Sequence, residues 1–177
     1  MTNFKQKLIE IKASSAVIEW VGDRDLTTAW AECERGDWML WFAAKAKVDL
    51  KKLTLAKVKC ARLVQHLMED QRSINALDVA EKFANGEATK EELDAAAYAA
   101  YAAAAVATYA TDSDSDSAYA AADAAYAAAY AARDDADSAA DAAAYAAYAA
   151  ADARKKTLLD VANIVRSIIT VEDLKRV

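Results

Sequence analysis

Aspartates at alternating positions in residues 111–117 are candidate ligands for a metal ion. Asp112, Asp114 and Asp116 reproduce the D-x-D-x-D opening of a calcium-binding loop, and Asp123 stands at the twelfth position. Such a loop needs a glycine at its sixth position for a sharp turn and a bidentate glutamate at its twelfth. Ser117 replaces the glycine, and aspartate replaces the glutamate. We therefore predict a solvated acidic loop that caps the following helix, and no metal site.

The residue types that serve as nucleophiles and general bases are scarce. His66 is the single histidine, and no sequence pattern supplies it with a nucleophile. Cys33 and Cys60 lie in predicted helices with apolar neighbours, where cysteine behaves as a small hydrophobic residue. The chain has no CxxC pair, no GxSxG or HExxH motif and no glycine-rich phosphate loop. We predict a protein that is not an enzyme, with no catalytic residues and no cofactor.

The charges are unevenly distributed along the chain. Residues 1–90 hold 15 Lys and Arg against 13 Asp and Glu, a net of +2, whereas residues 91–177 hold 7 against 15, a net of −8. An acidic half disfavours nucleic-acid binding, which needs clustered cations, and suits a basic protein surface. An alternative is that the acidity only keeps an alanine-rich surface soluble. The predicted partner-binding carboxylates are Asp112, Asp114, Asp116, Asp134, Asp135 and Asp137.

Tyrosines recur at helical spacing through the alanine-rich half. They form one stripe at positions 98, 101 and 109, a second at 119, 126 and 130, and a third at 145 and 148. The interpretation that we favour is core packing, because tyrosine supplies the buried area that alanine lacks. The alternative is a recognition surface that includes Tyr101 and Tyr119, since tyrosine is common at interfaces.

A small ligand would need a pocket with a few converging polar groups. The candidates for such a site are tyrosine hydroxyls and the cations close in sequence to the aspartates at residues 112–137. These cations are Arg133, Arg154, Lys155 and Lys156.

Composition predicts an all-α fold. The 177 residues include no proline and three glycines, whereas β-rich folds need turn residues at short intervals. We expect a single domain over residues 1–177, an aromatic and aliphatic part at 1–90 followed by an Ala/Tyr/Asp-rich part at 91–177. The eleven residues DAAAYAAYAAA occur at both 94–104 and 141–151, which indicates repeated helices. About eight helices in antiparallel pairs would form a helical bundle or a short α-solenoid.

Local signals predict where the helices of the first part begin and end. The pattern gives five helices, of which the first is broken near residues 13–15. Asp25 caps a helix that Gly36 ends, and Asp37 caps the next one. A longer helix covers residues 53–68, and Asn85-Gly86 stops the helix after it.

The second part is predicted to hold three long helices and a short one. Thr89 and Glu92 match a capping box, so a helix should run from about Lys90 to Ala110. After the acidic loop, a second helix covers residues 118–133, and a third begins at residue 134 or 135 and continues through Ile169. Thr170 caps a final short helix.

The segment at residues 29–41, AWAECERGDWMLW, is the most distinctive in the chain. Its Trp-x-x-Cys element followed by Gly-Asp-Trp-Met-Leu-Trp resembles the fifth-type immunity-protein-like family of bacterial polymorphic-toxin systems. The Cys60-Ala61 helix and the junction from Gly86 to Ala96 are also similar to that family. The resemblance covers residues 15–165 and implies an all-helical protein that neutralises a toxin by direct binding. Within the segment, Trp30, Trp38 and Trp41 are predicted to anchor the core.

These observations lead to one functional hypothesis and two alternatives. The leading hypothesis is a non-catalytic immunity-type inhibitor that binds a protein toxin through its acidic face. The first alternative is a phage-encoded inhibitor of host defence, or a module that sequesters a small molecule. The second is a purely structural helical array. We expect a cytoplasmic location, no nucleic-acid or membrane partner, and a homodimer if an alanine-tyrosine face is exposed.

Overall fold

The computed structural model describes residues 3–110, 116–133, 136–149 and 153–175. All regular structure within these ranges is helical, which confirms the predicted all-α class. Eleven α-helices and one 3₁₀ helix at Gln65–Leu67 occur in the described ranges, so the predicted number of helices was too low. In chain order the α-helices are α1 (Asn3–Glu10), α2 (Ser15–Val21), α3 (Leu26–Glu32), α4 (Gly36–Lys45), α5 (Leu50–Arg62), α6 (Gln71–Asn85), α7 (Lys90–Ala110), α8 (Asp116–Ala131), α9 (Ala136–Ala149), α10 (Arg154–Ile168) and α11 (Val171–Leu174).

Capping side chains set several of the helix ends that the sequence predicted. The Asp25 carboxylate accepts a hydrogen bond from the Thr28 amide at 2.8 Å, so it caps α3 as expected. Gly86 ends α6 with φ at 81°, a left-handed conformation that glycine adopts without steric cost. The predicted capping box at α7 is present, since Thr89 and Glu92 each accept a bond from the other's amide. The same arrangement joins Thr170 and Asp173 at α11.

The prediction for Gly36 and Asp37 was wrong. Helix α3 already ends at Glu32, and Gly36 is the first residue of α4 rather than the stop of α3. Asp37 lies in the first turn of α4 and pairs with Arg35 through two hydrogen bonds of 2.5 and 2.9 Å. Gly36 is buried, and a Cβ there would lie 2.2 Å from Val161 Cγ1 on α10. Glycine therefore occupies this position because α10 passes against the backbone.

Two predicted helices are shorter than the sequence indicated. The helix expected over 53–68 ends at Arg62, because the amides of Leu63 and Val64 bond to carbonyls only three residues back and tighten the chain. The helix expected to run through Ile169 appears as α9 and α10. Residues 150–152, between them, lie outside the described part.

The buried apolar side chains form two clusters that share α5 and α9. The first cluster is aliphatic and aromatic and joins α1–α4 to α10 and α11. The second is dominated by alanine and joins α6, α7 and α8. Helix α5 gives Leu53 and Cys60 to the first cluster and Val58 and Ala61 to the second. The two shared helices thus hold the alanine-rich half against the aliphatic half.

Alanine fills the contacts between α7, α8 and α9. On α8 it is fully buried at residues 124, 127, 128, 129 and 131. Alanine lets helix backbones approach closely but leaves no room for a large side chain between them. Large side chains on these helices must therefore lie at the edge of the contact. Among the described residues, no helix is both long enough and apolar enough to cross a membrane.

Candidate functional site

Five tyrosines form a continuous row of ring contacts across three helices, which we call the tyrosine strip. Tyr101 of α7 meets Tyr126 of α8 edge-on, with ring centroids 5.6 Å apart. Tyr126 and Tyr130 of α8 both contact Tyr145 of α9, at 5.2 and 5.3 Å. Tyr148 continues the row 6.1 Å beyond Tyr145. The repeated spacing of tyrosines along each helix brings the rings to the same side of the alanine-rich layer.

The strip lies at the edge of the alanine cluster, so the core-packing interpretation holds for Tyr130 and Tyr145 and is wrong for the exposed Tyr101 and Tyr148. Tyr101 and Tyr148 are each 45% exposed, whereas the three tyrosines between them are half-buried. Tyr98 and Tyr119, which share helix faces with strip members, are 78% and 51% exposed. Among the described tyrosine side chains, Tyr130 and Tyr145 are the two that pack against the alanine cluster. The side chain of Tyr109 lies outside the described residues.

Arg154 packs on the tyrosine ring at one end of the strip. The guanidinium carbon of Arg154 lies 4.2 Å from the ring centroid of Tyr148. A cation over the face of an aromatic ring is attracted by the negative face of the ring's quadrupole. The rings of this strip can therefore hold a guanidinium.

Carboxylates line the strip because each alanine-rich helix carries an aspartate one turn before a tyrosine. Asp94 precedes Tyr98 on α7, Asp123 precedes Tyr126 on α8, and Asp141 precedes Tyr145 on α9. Residues three or four apart are neighbours on a helix surface. Each aspartate therefore lies on the same face as its tyrosine.

Burial and neighbouring charges raise the pKa values of one carboxyl and two hydroxyls in and beside the strip. Partial burial raises the pKa of the Asp123 carboxyl. Burial also raises the pKa of the Tyr130 hydroxyl, and the negative charge of Asp141 adds to the effect. The pKa of Tyr145 is raised by burial first, and then by Tyr130, Asp141 and Asp123. The strip thus combines aromatic surface with negative charge, and the raised pKa values favour the protonated hydroxyls of Tyr130 and Tyr145.

A surface pocket of about 370 Å³ opens beside the strip. It is lined by Asp94, Ala97, Tyr98, Tyr101 and Arg133. Asp94 also pairs with Lys90, at 3.1 Å. This pocket brings an aromatic wall, a carboxylate and a guanidinium together.

The four cations proposed from the sequence do not converge on one pocket. Arg133 lines the pocket with Tyr98 and Tyr101, while Arg154 lies on Tyr148. Lys155 lines another pocket, next to Trp20 and Trp38. Lys156 is 80% exposed in its side chain and makes a 3.9 Å contact with Asp160. Sequence proximity grouped these residues, but the helices separate them.

The six predicted partner-binding carboxylates lie outside the part of the chain whose side chains the structure describes. Asp112, Asp114, Asp134 and Asp135 are outside the described residues. Asp116 begins α8 and Asp137 lies in the first turn of α9, but their side chains are outside the described part. The hypothesis of an acidic patch formed by these six residues stays a prediction.

The groups considered for chemistry are scattered. Cys33 and Cys60 are buried, and burial raises the pKa of both thiols, which disfavours the reactive thiolate. His66 is exposed on the 3₁₀ helix, not on a long helix as expected. Trp30 is buried at 6% exposure, as predicted for a core anchor, while Trp38 and Trp41 pack at the edge of the first cluster. Within the described ranges, no group of three or more His, Cys, Asp or Glu could hold a metal ion.

The sequence pattern indicated Asp123 only as a candidate calcium ligand, and it did not single out Asp94 or Asp141 as site residues. The signal was present in the repeated motif, where an aspartate stands four residues before a tyrosine at 94–98 and 141–145. The neighbourhood of Asp123 and Tyr145, in contrast, depends on how α8 and α9 pack. No sequence spacing reports this electrostatic coupling between two helices.

Comparison with known proteins adds no relative against which to interpret this surface. No family model, no curated protein and no solved structure matches the chain. The tyrosine strip and its carboxylates are therefore the features from which a function can be inferred.

Proposed function

We propose that this protein is a non-catalytic binding protein of the immunity type, which neutralises a protein toxin by direct binding. The observation that carries the proposal is the tyrosine strip, a row of rings with its two ends 45% exposed at Tyr101 and Tyr148. The tryptophan segment at residues 29–41 adds support through its resemblance to immunity proteins.

Tyrosine is well suited to such an interface. It offers a large, rigid contact area with few rotatable bonds, so little conformational entropy is lost on binding. Tyrosine, tryptophan and arginine also dominate the residues that carry most of the binding energy in protein complexes. The ring contacts within the strip hold the side chains in place before a partner arrives, which lowers the cost of ordering them.

The charge of the alanine-rich half indicates the kind of partner. Residues 91–177 carry a net charge of −8, and Asp123 and Asp141 lie beside the strip. A basic partner surface would be steered towards this half, which raises the association rate more than the final affinity. We infer a protein partner with a basic surface.

The pocket beside Tyr98 favours a second candidate function. Its guanidinium, carboxylate and two phenols resemble the few converging polar groups of a small-molecule site. In that case the protein would sequester a small molecule, for example one that signals in host defence. Arg133→Gln should then abolish binding of the small molecule and leave binding of a protein partner unchanged.

Photo-crosslinking in the native host tests the leading proposal. A benzoylphenylalanine at position 101 places the crosslinker on the strip, and the same residue at the exposed Glu19 of α2 is the control. We expect a protein to crosslink from position 101 and not from position 19. Expression of that protein alone should stop growth, and co-expression of this chain should restore it. A crosslinked protein that is harmless when expressed alone would contradict the immunity role.

A further inference from the structure

Asp123 is a half-buried carboxylate without a partner in the described part of the chain. It lies on α8 between the exposed Tyr119 and the half-buried Tyr126, and its charge acts on Tyr145 of α9. No hydrogen bond or ion pair joins it to another described residue. A carboxylate withdrawn from water without a compensating partner is unfavourable, and a cationic group bound there would remove that cost.

At two other places in this protein, an arginine contacts both an aromatic ring and a carboxylate. The Arg35 guanidinium lies 4.5 Å from the ring centroid of Trp38 and forms a bidentate pair with Asp37. The Arg24 guanidinium lies 4.9 Å from the Trp20 ring and bonds to Glu32 at 2.8 Å. At both places one guanidinium contacts an aromatic face and a carboxylate together.

The surroundings of Asp123 contain the ring and the carboxylate, but no described guanidinium pairs with that carboxylate. We propose that Asp123, together with the rings of Tyr126 and Tyr145, forms a subsite that receives an arginine side chain of the protein partner. The inference rests on the proposed function for the existence of that partner, and it adds the chemistry of the group that the partner presents.

Arginine fits this subsite better than lysine does. Its planar guanidinium stacks on an aromatic face while its edge donates to a carboxylate, and it is more weakly hydrated than an ammonium group. Arg154 over Tyr148 shows that a strip tyrosine accepts a guanidinium at 4.2 Å. Partial burial raises the pKa of Asp123, and an arriving cation would offset that cost by stabilising the ionised form.

Fluorescence anisotropy with a labelled peptide of alternating glycine and arginine tests the subsite on the full chain. The matching glycine–lysine peptide has the same charge without the planar group. We expect the arginine peptide to bind about tenfold more tightly than the lysine peptide, because only the former can stack and pair at once.

Two pairs of variants localise the binding. Asp123→Asn should weaken binding of the arginine peptide about tenfold, whereas Asp23→Asn, which removes one exposed carboxylate between α2 and α3, should change it less than about twofold. Tyr126→Leu should weaken binding, and Tyr126→Phe, which keeps the ring, should not. Thermal melting separates loss of binding from loss of folding, and Asp123→Asn should melt at the same or a higher temperature.

Two results would overturn the inference: equal binding of the two peptides, or unchanged binding of the arginine peptide by Asp123→Asn. The peptide assay needs no toxin, so the two proposals can fail separately. If the subsite binds arginine but the crosslinked partner is not toxic, the function is wrong and the subsite stands. If Asp123→Asn still neutralises a toxic partner at full potency, the partner binds elsewhere and the inference is wrong.

Discussion

The rings of Tyr130 and Tyr145 lie nearly parallel, 7° apart, with their centroids separated by 5.3 Å. Tyr130 belongs to α8 and Tyr145 to α9, and both pack against the alanine cluster. The alanines between these helices bury little area each, so a stacked aromatic pair at the rim adds stability that the contact would otherwise lack.

Removing one ring of this pair should therefore destabilise the protein. We expect Tyr145→Leu to lower the free energy of unfolding by about 1 kcal/mol, the usual contribution of an aromatic pair beyond its buried area. Tyr145→Phe keeps the stack and should have a smaller effect. Urea denaturation followed by circular dichroism measures both. Equal stability of the Leu and Phe variants would show that the stacking contributes nothing.

Gly36 should not tolerate a larger residue. A Cβ at this position would lie 2.2 Å from Val161 Cγ1 and 2.7 Å from the backbone nitrogen of Ala162. Gly36→Ala should cost about 1–3 kcal/mol or more, because α4 and α10 would have to separate. Adding Val161→Ala should recover only part of the loss, since the Ala162 backbone remains. A fully stable Gly36→Ala protein, judged by its urea midpoint, would contradict this close packing.

The buried hydroxyl of Thr54 should be dispensable. Thr54 is fully buried on α5, and its hydroxyl oxygen has no hydrogen-bond partner among the residues that the structure describes. Thr54→Val keeps the shape and removes the unpaired polar group, so stability should stay level or rise by about 1 kcal/mol. The reverse change at the fully buried Val58 is the matched control, and Val58→Thr should cost about 1–3 kcal/mol. A destabilised Thr54→Val protein in thermal melting would show that the hydroxyl is paired in solution.

Acid should release the contact that holds α11 on α5. The Lys52 ammonium donates to the Asp173 carboxylate at 2.7 Å, and with the Thr170 amide it lowers the pKa of Asp173 from 3.8 to about 2. A lowered pKa in the folded state means that the stabilisation is complete above the ordinary value and is lost as pH falls through the folded one.

The measurement compares melting temperatures of the wild-type protein and Asp173→Asn across this range. Asparagine can still accept from the Thr170 amide, so the difference reports the charge. The difference should be constant above about pH 4 and should disappear towards about pH 2. A difference that persists unchanged at about pH 2 would exclude this carboxylate as its source.

Helix class and most helix ends could be predicted from the sequence because they depend on residues within one turn of each other. Thr89 and Glu92 formed the expected capping box, Gly86 formed the expected left-handed stop, and Asp25 capped α3. Local sequence signals gave the wrong prediction at Gly36. Glycine is needed there because Val161 of α10, 125 residues later in the chain, packs against it. Local signals also failed to predict that Lys57 is fully buried and donates a hydrogen bond to the carbonyl of Arg133, which lies two residues after α8 ends.

The amino-acid sequence alone determined that the alanine-rich half is helical and that its tyrosines recur on one face of each helix. Periodicity is a property of a single helix, so it can be read along the chain. Only the packing of α7, α8 and α9 decided that those faces meet at the surface, that the rings of Tyr126 and Tyr145 touch, and that the charge of Asp123 acts on Tyr145. The physical reason is that alanine lets the helix backbones pack closely and leaves no room for large rings between them. The rings therefore lie at the edge of the helix contacts, and this edge forms only when the three helices pack together.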